Sequence, residues 1–215
     1  MPDFKSEPLD PEKSSRILAR RDRALRNIIR QVGPCLLEPS KSRQPYEALV
    51  RSIAFQQLNT AVATKILDRF IALYPGQAFP EPDHVIATPD DELRAAGLSG
   101  NKVLAIKDIA RHASQGLVPD RKTAKKMTDE DLIEQLVRIR GVGRWTVEML
   151  LISTLGRPDI LPVDDYGVRM GYKIVAGLID LPKPRELQRI GEAWAPYRTT
   201  AAWYLWRAVD LAKAK

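Results

Sequence analysis

The stretch "RIRGVGRWTVEML", residues 138–150, decides the reading of this chain. Leu136 and Ile139 precede a Gly-Val-Gly turn, and Val147, Leu150 and Leu151 follow it at helical spacing, so two short helices are expected to pack on each other through the turn. Glycine admits backbone conformations closed to other residues and lets a second backbone come close. The helix expected to start at Arg144 leaves N–H groups without intrahelical acceptors around Gly143, and such an end attracts phosphate. A grip made by backbone groups carries no base information, so it would hold nucleic acid of any sequence. Gly-Val-Gly alone fits an ordinary tight helix connection equally well; the flanking apolar pairs favour the DNA-gripping version.

The rest of the chain reads as helical throughout. Ile17, Leu18, Leu25, Ile28 and Ile29 recur at spacings of three and four from Ser14 onward, and residues 1–13 are expected to form a loose arm. "YPGQAFPEPDHVIATP" reads as a loop, and "NKVLAIKDIARHASQG" as a helix with Gly116 as its stop. Thr128, with Asp131 three residues later, marks another helix start. Alternating strand patterns are nearly absent, so the expected fold class is all-α, and no repeat of fixed period is present.

Composition narrows the chemistry. The chain has 215 residues, 44% of them apolar, which is enough for a proper core. Lys and Arg number 34 against 27 Asp and Glu, a formal charge of +7 that suits a polyanionic partner. Cys35 is the sole cysteine, so no intrachain disulfide, zinc finger or cysteine-held iron–sulfur cluster can form within the chain. His84 and His112 are the only histidines and stand far apart, which disfavours a histidine metal site or a Ser-His-Asp triad. "MPDFKSEPLDPEKSSR" has no apolar core and is not read as a signal peptide. No apolar run reaches the ~18 residues of a membrane span. A cytoplasmic protein is expected, at the nucleoid in a bacterium, or a nuclear one in a eukaryote.

Beyond the hinge comes "LPVDDYGVR". Pro162 stops the preceding helix and an aspartate caps the next, which accounts for one of Asp164 and Asp165 but not for both. Two adjacent carboxylates in an apolar setting repel unless one is capped and the other finds a use.

Hairpin, intervening helix and aspartate at the next helix start together resemble the helix–hairpin–helix superfamily of DNA glycosylases, and within it the alkylation-repair branch, 3-methyladenine DNA glycosylase II of the AlkA type. The resemblance runs from about Pro45 to Trp206 and rests on "PYEALVRSIAFQQLNTAVATKI", "LRAAGLSGNKVLAIKDIA", "LVRIRGVGRWTVEMLL", "LPVDDYGVR" and "EAWAPYRTTAAWYLWRA". It implies a bilobal all-α domain over residues 14–215 with the active site in a cleft between two helical lobes. One lobe is expected at about 34–115, the other at about 14–33 and 116–215.

The resemblance further implies that Asp165 is the catalytic carboxylate and that Asp164 is its support or the helix cap. It places Gly141, Val142, Gly143, Arg144 and Thr146 at the DNA, with Gln57 or Leu58 wedged into the gap left by a flipped base. Ser99, Gly100 and Lys102 of "GLSGNK" are candidates for phosphate, or an ordinary solvated turn. An electron-rich wall suits a cationic base, and Trp145, Tyr166, Phe55, Trp203 and Trp206 are the candidates. Members of the superfamily that also cut the backbone carry a lysine where this chain has Trp145, so hydrolysis without lyase activity is expected, with no iron–sulfur cluster and no required cofactor. The family often holds a monovalent cation at the hairpin; here a Na⁺ or K⁺ would sit on the carbonyls of Ile139 and Gly141. The expected partner is double-stranded DNA containing damaged bases, met by a monomer without a membrane. A non-catalytic DNA-binding module, a glycosylase for an oxidised or mismatched base, and a helical scaffold are the rival readings.

Overall fold

Most of the described helices open on a capping side chain or a first-turn proline in their own sequence. The computed structural model describes residues 9–214. Asp10 accepts a hydrogen bond from the Lys13 amide at 2.9 Å and Pro11 occupies the first turn, so α1 spans Pro11–Arg21. Pro11 to Lys13 are therefore helical, against the expected loose arm; residues 1–8 of that arm lie outside the described residues. Asp22 ends α1 and accepts from the amides of Ala24 and Leu25, opening α2 over Arg23–Val32. The apolar period that runs on from Ser14 is thus cut by one capping aspartate.

The middle of the chain supplies α3 (Pro45–Phe55), α4 (Thr60–Ala72), α5 (Pro82–Ala87), α6 (Asp90–Ala95), α7 (Gly100–Ser114), α8 (Arg121–Ala124), α9 (Asp129–Leu136) and α10 (Arg144–Leu150). Helix α5 falls in the stretch expected to be a loop. Pro82 at its start and the fully buried Val85 hold one and a half turns there, too short for a periodic signal. Directly after α10, Leu151–Leu155 is a π-helical turn. Three helices follow: α11 (Tyr166–Ala176), α12 (Pro184–Gly191) and α13 (Arg198–Lys213). No strand occurs among the described residues.

The chain divides into two compact units, Lys41–Leu150 and the two terminal stretches that end at Ser40 and resume at Leu151. The first expected boundary, near residue 34, is close to this division, but the second, at 115/116, falls 35 residues early. Residues 116–150 stay with the middle unit because α9 packs on α10 and α10 packs on α3. The middle unit has its own core, which includes Leu49, Ile53, Phe70, Ile106, Leu132 and Leu136.

The terminal unit is built around the crossing of α11 and α13, with α1 and α2 against α13. Leu18, Leu25, Val168, Trp194, Tyr204 and Leu205 form its core, each fully buried. Burying such a side chain stabilises by about 1.5–3 kcal/mol. At Gly171 the two main helices meet so closely that a Cβ there would lie 2.0 Å from the Leu205 carbonyl oxygen. The N-terminus of α13 is strapped to the preceding segment: Asp159 holds the Arg198 guanidinium through two bonds of 2.7 Å, and the Thr199 hydroxyl accepts from the Ile160 amide. These contacts fix the rotation of α13, and with it the position of Trp206 two turns on.

Candidate functional site

Asp165 sits at the mouth of α11. The helix begins at Tyr166, so Asp165 is the residue whose side chain reaches the third amide, and its Oδ1 accepts from Val168 N at 2.7 Å. The expected division of labour is corrected here: the cap is Asp165, and Asp164, one residue too early to reach the helix, is exposed. Oδ1 also accepts from the Trp206 indole at 2.9 Å. The half-buried carboxylate is therefore held in place by a helix amide from α11 and an indole N–H from α13.

Gly167 makes this contact sterically possible. A Cβ there would meet Trp206 Cδ1 at 3.0 Å and Asp165 Oδ1 at 3.1 Å. Gly167 and Gly171 lie four apart in "YGVRMG", on one face of α11, and that spacing was the available sequence signal for a close helix crossing. Of the other aromatic candidates in this unit, Tyr166 is 64% exposed beside the carboxylate. Trp203 instead packs edge-on against Tyr204 at 4.9 Å, under the Arg207 guanidinium.

In the middle unit the hairpin runs from α9 through residues 137–143 into α10. Thr128 caps α9 through the Asp131 amide at 3.1 Å, as its spacing predicts. The two glycines differ in kind. Gly141 has φ +77°, and a Cβ there would press on Ala105 Cβ at 3.0 Å and Ile53 Cδ1 at 3.4 Å, so the fold itself demands glycine. Gly143 has neither constraint: a Cβ there would meet nothing within 4 Å. Its carbonyl accepts from Thr146 and Val147, while the amides of Gly143 and Arg144 have no acceptor among the described residues.

Several side chains expected at DNA are used inside the protein. Thr146 is 2% exposed and Val142 is also buried, so only their backbone is near the turn. The Arg144 guanidinium grips both Glu130 oxygens at 2.9 and 3.0 Å and reaches Glu148 with Nε at 3.2 Å. These bonds raise the pKa of Arg144 and lower that of Glu130, and they clamp the start of α9 to the start of α10. Ser99 caps α7 through the Lys102 amide at 3.4 Å.

Lys102 donates from Nζ to the carbonyls of Ala54 at 2.8 Å and Gln56 at 2.9 Å, closing the C-terminus of α3, and burial lowers its pKa. The Gln56 side chain in turn donates from Nε2 to the Gly141 carbonyl at 3.2 Å. No sequence signal marks Gln56, which ties the turn after α3 to the hairpin. Within that turn Gln57 has φ +58°, the one positive value among the described non-glycine residues, a conformation that persists only where the surroundings impose it. Gln57 and Leu58 are both exposed, Phe55 is half-buried at the end of α3, and Trp145 is 41% exposed at the start of α10.

Residues 50–196 match the family model described as HhH-GPD superfamily base excision DNA repair protein. The chain belongs to this superfamily. It is 38% identical to DNA-3-methyladenine glycosylase 1 of Schizosaccharomyces pombe, over 89% of this chain and 84% of that one. It is 35% identical to the alkylbase DNA glycosidase-like protein mag2 of the same yeast, over 96% and 97% of the two chains. Among solved structures, the Schizosaccharomyces pombe 3-methyladenine DNA glycosylase Mag1 in complex with abasic DNA superposes with a TM-score of 0.84 at 37% identity, covering 93% of this chain and 98% of that one. Membership of the superfamily bears out the resemblance, and the all-helical described residues bear out the fold class read from the absence of strand patterns.

Proposed function

We propose that the protein is a monofunctional DNA glycosylase of the AlkA type that excises alkylated purines of the 3-methyladenine kind from double-stranded DNA. The observation that carries this reading is the Asp165 carboxylate held by Val168 N and Trp206 Nε1 beside an exposed Tyr166. Its relatives' names supply the substrate class.

In this mechanism the hairpin grips the phosphate backbone through the amides around Gly143, where the open side of the glycine leaves room for it. The damaged nucleotide leaves the stack, and Gln57 or Leu58 fills the gap. Tyr166 and Trp206 offer electron-rich rings to a cationic purine. As the bond from C1′ to the base nitrogen breaks, its electron pair goes to the base and neutralises the positive charge there. Positive charge grows on the sugar, and the Asp165 carboxylate stabilises it; water then adds at C1′ and releases a proton. Trp145 offers no amine for a Schiff base, which supports hydrolysis alone. A Na⁺ or K⁺ would be held by the carbonyls of Ile139 and Gly141, which keep a second lone pair after accepting from Val142 and Gln56, and would add positive charge to the turn.

The test is release of free methylated purines from methylated duplex DNA by wild type, Asp165→Asn and Asp164→Asn, with borohydride trapping alongside. Asparagine caps helices as well as aspartate, so Asp165→Asn keeps the fold while removing the charge. Release lost only in Asp165→Asn, with no trapped adduct, is expected. Release by the folded Asp165→Asn variant at the wild-type rate overturns the catalytic assignment, and a trapped adduct overturns the monofunctional one.

A further inference from the structure

We propose that Arg16 and Arg20 of α1 with Arg23 and Arg30 of α2 form a second phosphate-binding surface, which takes the backbone of double-stranded DNA in addition to the hairpin. The inference rests on the DNA-binding reading above and adds a surface to it.

Every cationic residue from Ser14 to Gly33 is an arginine, six in all. Two are used by the fold. Arg21 donates to the Ala195 carbonyl at 2.6 Å and lies over the Tyr197 ring, and Arg26 donates from Nε to the Ala19 carbonyl at 2.6 Å. The other four are exposed, and their side chains make no ion pair or hydrogen bond among the described residues. Arg16 and Arg20 are one turn apart on α1, and Arg23 and Arg30 are two turns apart on α2, about 10 Å along its axis. Arg26 joins the two pairs, because its guanidinium also reaches the Arg20 carbonyl, at 3.5 Å.

Arg20 and Arg30 stand in the last turns of α1 and α2, where a cation is favoured, but Arg23 opens α2, where it is not. Like charges at i, i+4 oppose a helix. The one carboxylate among these arginines, Asp22, is turned to structural use: Oδ1 caps α2 and Oδ2 accepts from the buried Trp194 indole at 2.8 Å. A merely solvated face would be served as well by lysine, whereas the planar guanidinium fork fits phosphate oxygens. A lipid headgroup shares that chemistry, but membrane-surface helices insert an apolar face. The apolar residues of α1 and α2, Leu18, Leu25 and Ile28, are instead buried in the core of their own unit. The regular charge along a DNA strand is the polyanion that suits four arginines on two adjoining helices.

The experiment measures the affinity for a short undamaged duplex as a function of salt. The variants are R16Q/R20Q/R23Q/R30Q and a control of equal charge loss in the same unit, K183Q/R185Q/R189Q/K213Q, all four of whose residues are exposed. Each lost phosphate contact lowers the salt slope by about 0.9. The arginine variant is expected to lower it by about 2–4 and to weaken binding roughly tenfold or more near 0.1 M salt. The control is expected to do neither. The pairs R16Q/R20Q and R23Q/R30Q, expected to show about half the slope change each, serve if the quadruple variant fails to fold. Equal weakening in variant and control assigns the effect to net charge and overturns the surface, as does unchanged binding. Loss of vesicle binding with DNA binding intact reassigns it to lipid and overturns it too. Absence of DNA binding in wild type sinks the DNA reading itself, and the surface with it.

Discussion

The indole nitrogen of Trp206 and Oδ1 of Asp165 lie 2.9 Å apart, and Gly167 keeps the space between α11 and α13 in which they meet. A hydrogen bond to a charged group contributes about 1.5–3 kcal/mol, and each 1.4 kcal/mol is about tenfold in rate. Trp206→Phe keeps most of the ring and removes the donor. It is expected to slow excision roughly tenfold or more in single-turnover assays, through a carboxylate no longer fixed in orientation, with affinity for undamaged DNA unchanged. Excision at the wild-type rate would show that the bond does not position Asp165.

Gly143 is the place where grip and fold separate. A Cβ there would meet nothing within 4 Å, and the Gly143 carbonyl already accepts the first bonds of α10, so an aspartate in its place should cap that helix and leave the thermal midpoint equal or raise it. The added negative charge faces the proposed phosphate site, and binding to duplexes of every sequence should weaken alike. Unchanged binding would remove the hairpin from the DNA interface.

Much of this was legible beforehand, and the exceptions have physical causes. Helix existence followed from apolar period and caps, as at Thr128, because those signals are local. The division at residue 150 was not visible, since it depends on α10 packing against α3, a hundred residues earlier in the chain. Family resemblance points to Asp165 as the carboxylate and leaves the cap to Asp164, whereas Asp165 is itself the cap, because an uncertainty of one residue in a helix start moves the cap by one. Arg144 and Lys102 looked like phosphate ligands because charge is visible in a sequence and partners are not; Glu130 and the carbonyls of α3 already hold them. The sequence offers Trp206 as a ring for the base, but its N–H bond to Asp165 depends on the crossing of two helices.

That crossing can be probed at Gly171. A methyl group there would stand 2.0 Å from backbone oxygen, which cannot step aside as a side chain can. Overpacking of this kind costs about 1–3 kcal/mol and occasionally more. Gly171→Ala is expected to lower the melting temperature by several degrees, at about 2–4 °C per kcal/mol for a chain this size. An unshifted melting curve would mean that the helices part freely, and that their contact does not fix Trp206 against Asp165.

Burial also gives the protein an alkaline limit. The Cys35 thiol is pushed from its ordinary 9.0 up to about 11, chiefly by desolvation, and burial raises Tyr46 further still. The folded state therefore holds these protons where the unfolded chain has released them. The stability from Cys35 is complete below about pH 9 and is lost as pH rises from about 9 to about 11. Denaturant midpoints across that window should fall more steeply in wild type than in Cys35→Ala, and parallel curves would contradict the assignment. Native protein should also resist alkylation at mildly alkaline pH, since the thiolate is the reactive form.

Lys102 offers a test of the turn that carries the proposed wedge. Its Nζ closes the carbonyls of Ala54 and Gln56, Gln56 holds Gly141, and Gln57 is kept at φ +58° between them. Lys102→Met retains the aliphatic stem and removes the donor, leaving two partly buried carbonyls uncapped. A stability loss of about 1–3 kcal/mol is expected from the lost bonds. A released turn should also let Gln57 relax to negative φ and draw its side chain, with that of Leu58, out of the posture that fills a vacated base site. Lys102→Arg, which restores a donor, should recover part of both effects. The readout is fluorescence of 2-aminopurine beside the lesion, which rises when the base stack opens. A signal as strong in Lys102→Met as in wild type, at equal saturation with DNA, would show that the turn holds its shape without the lysine.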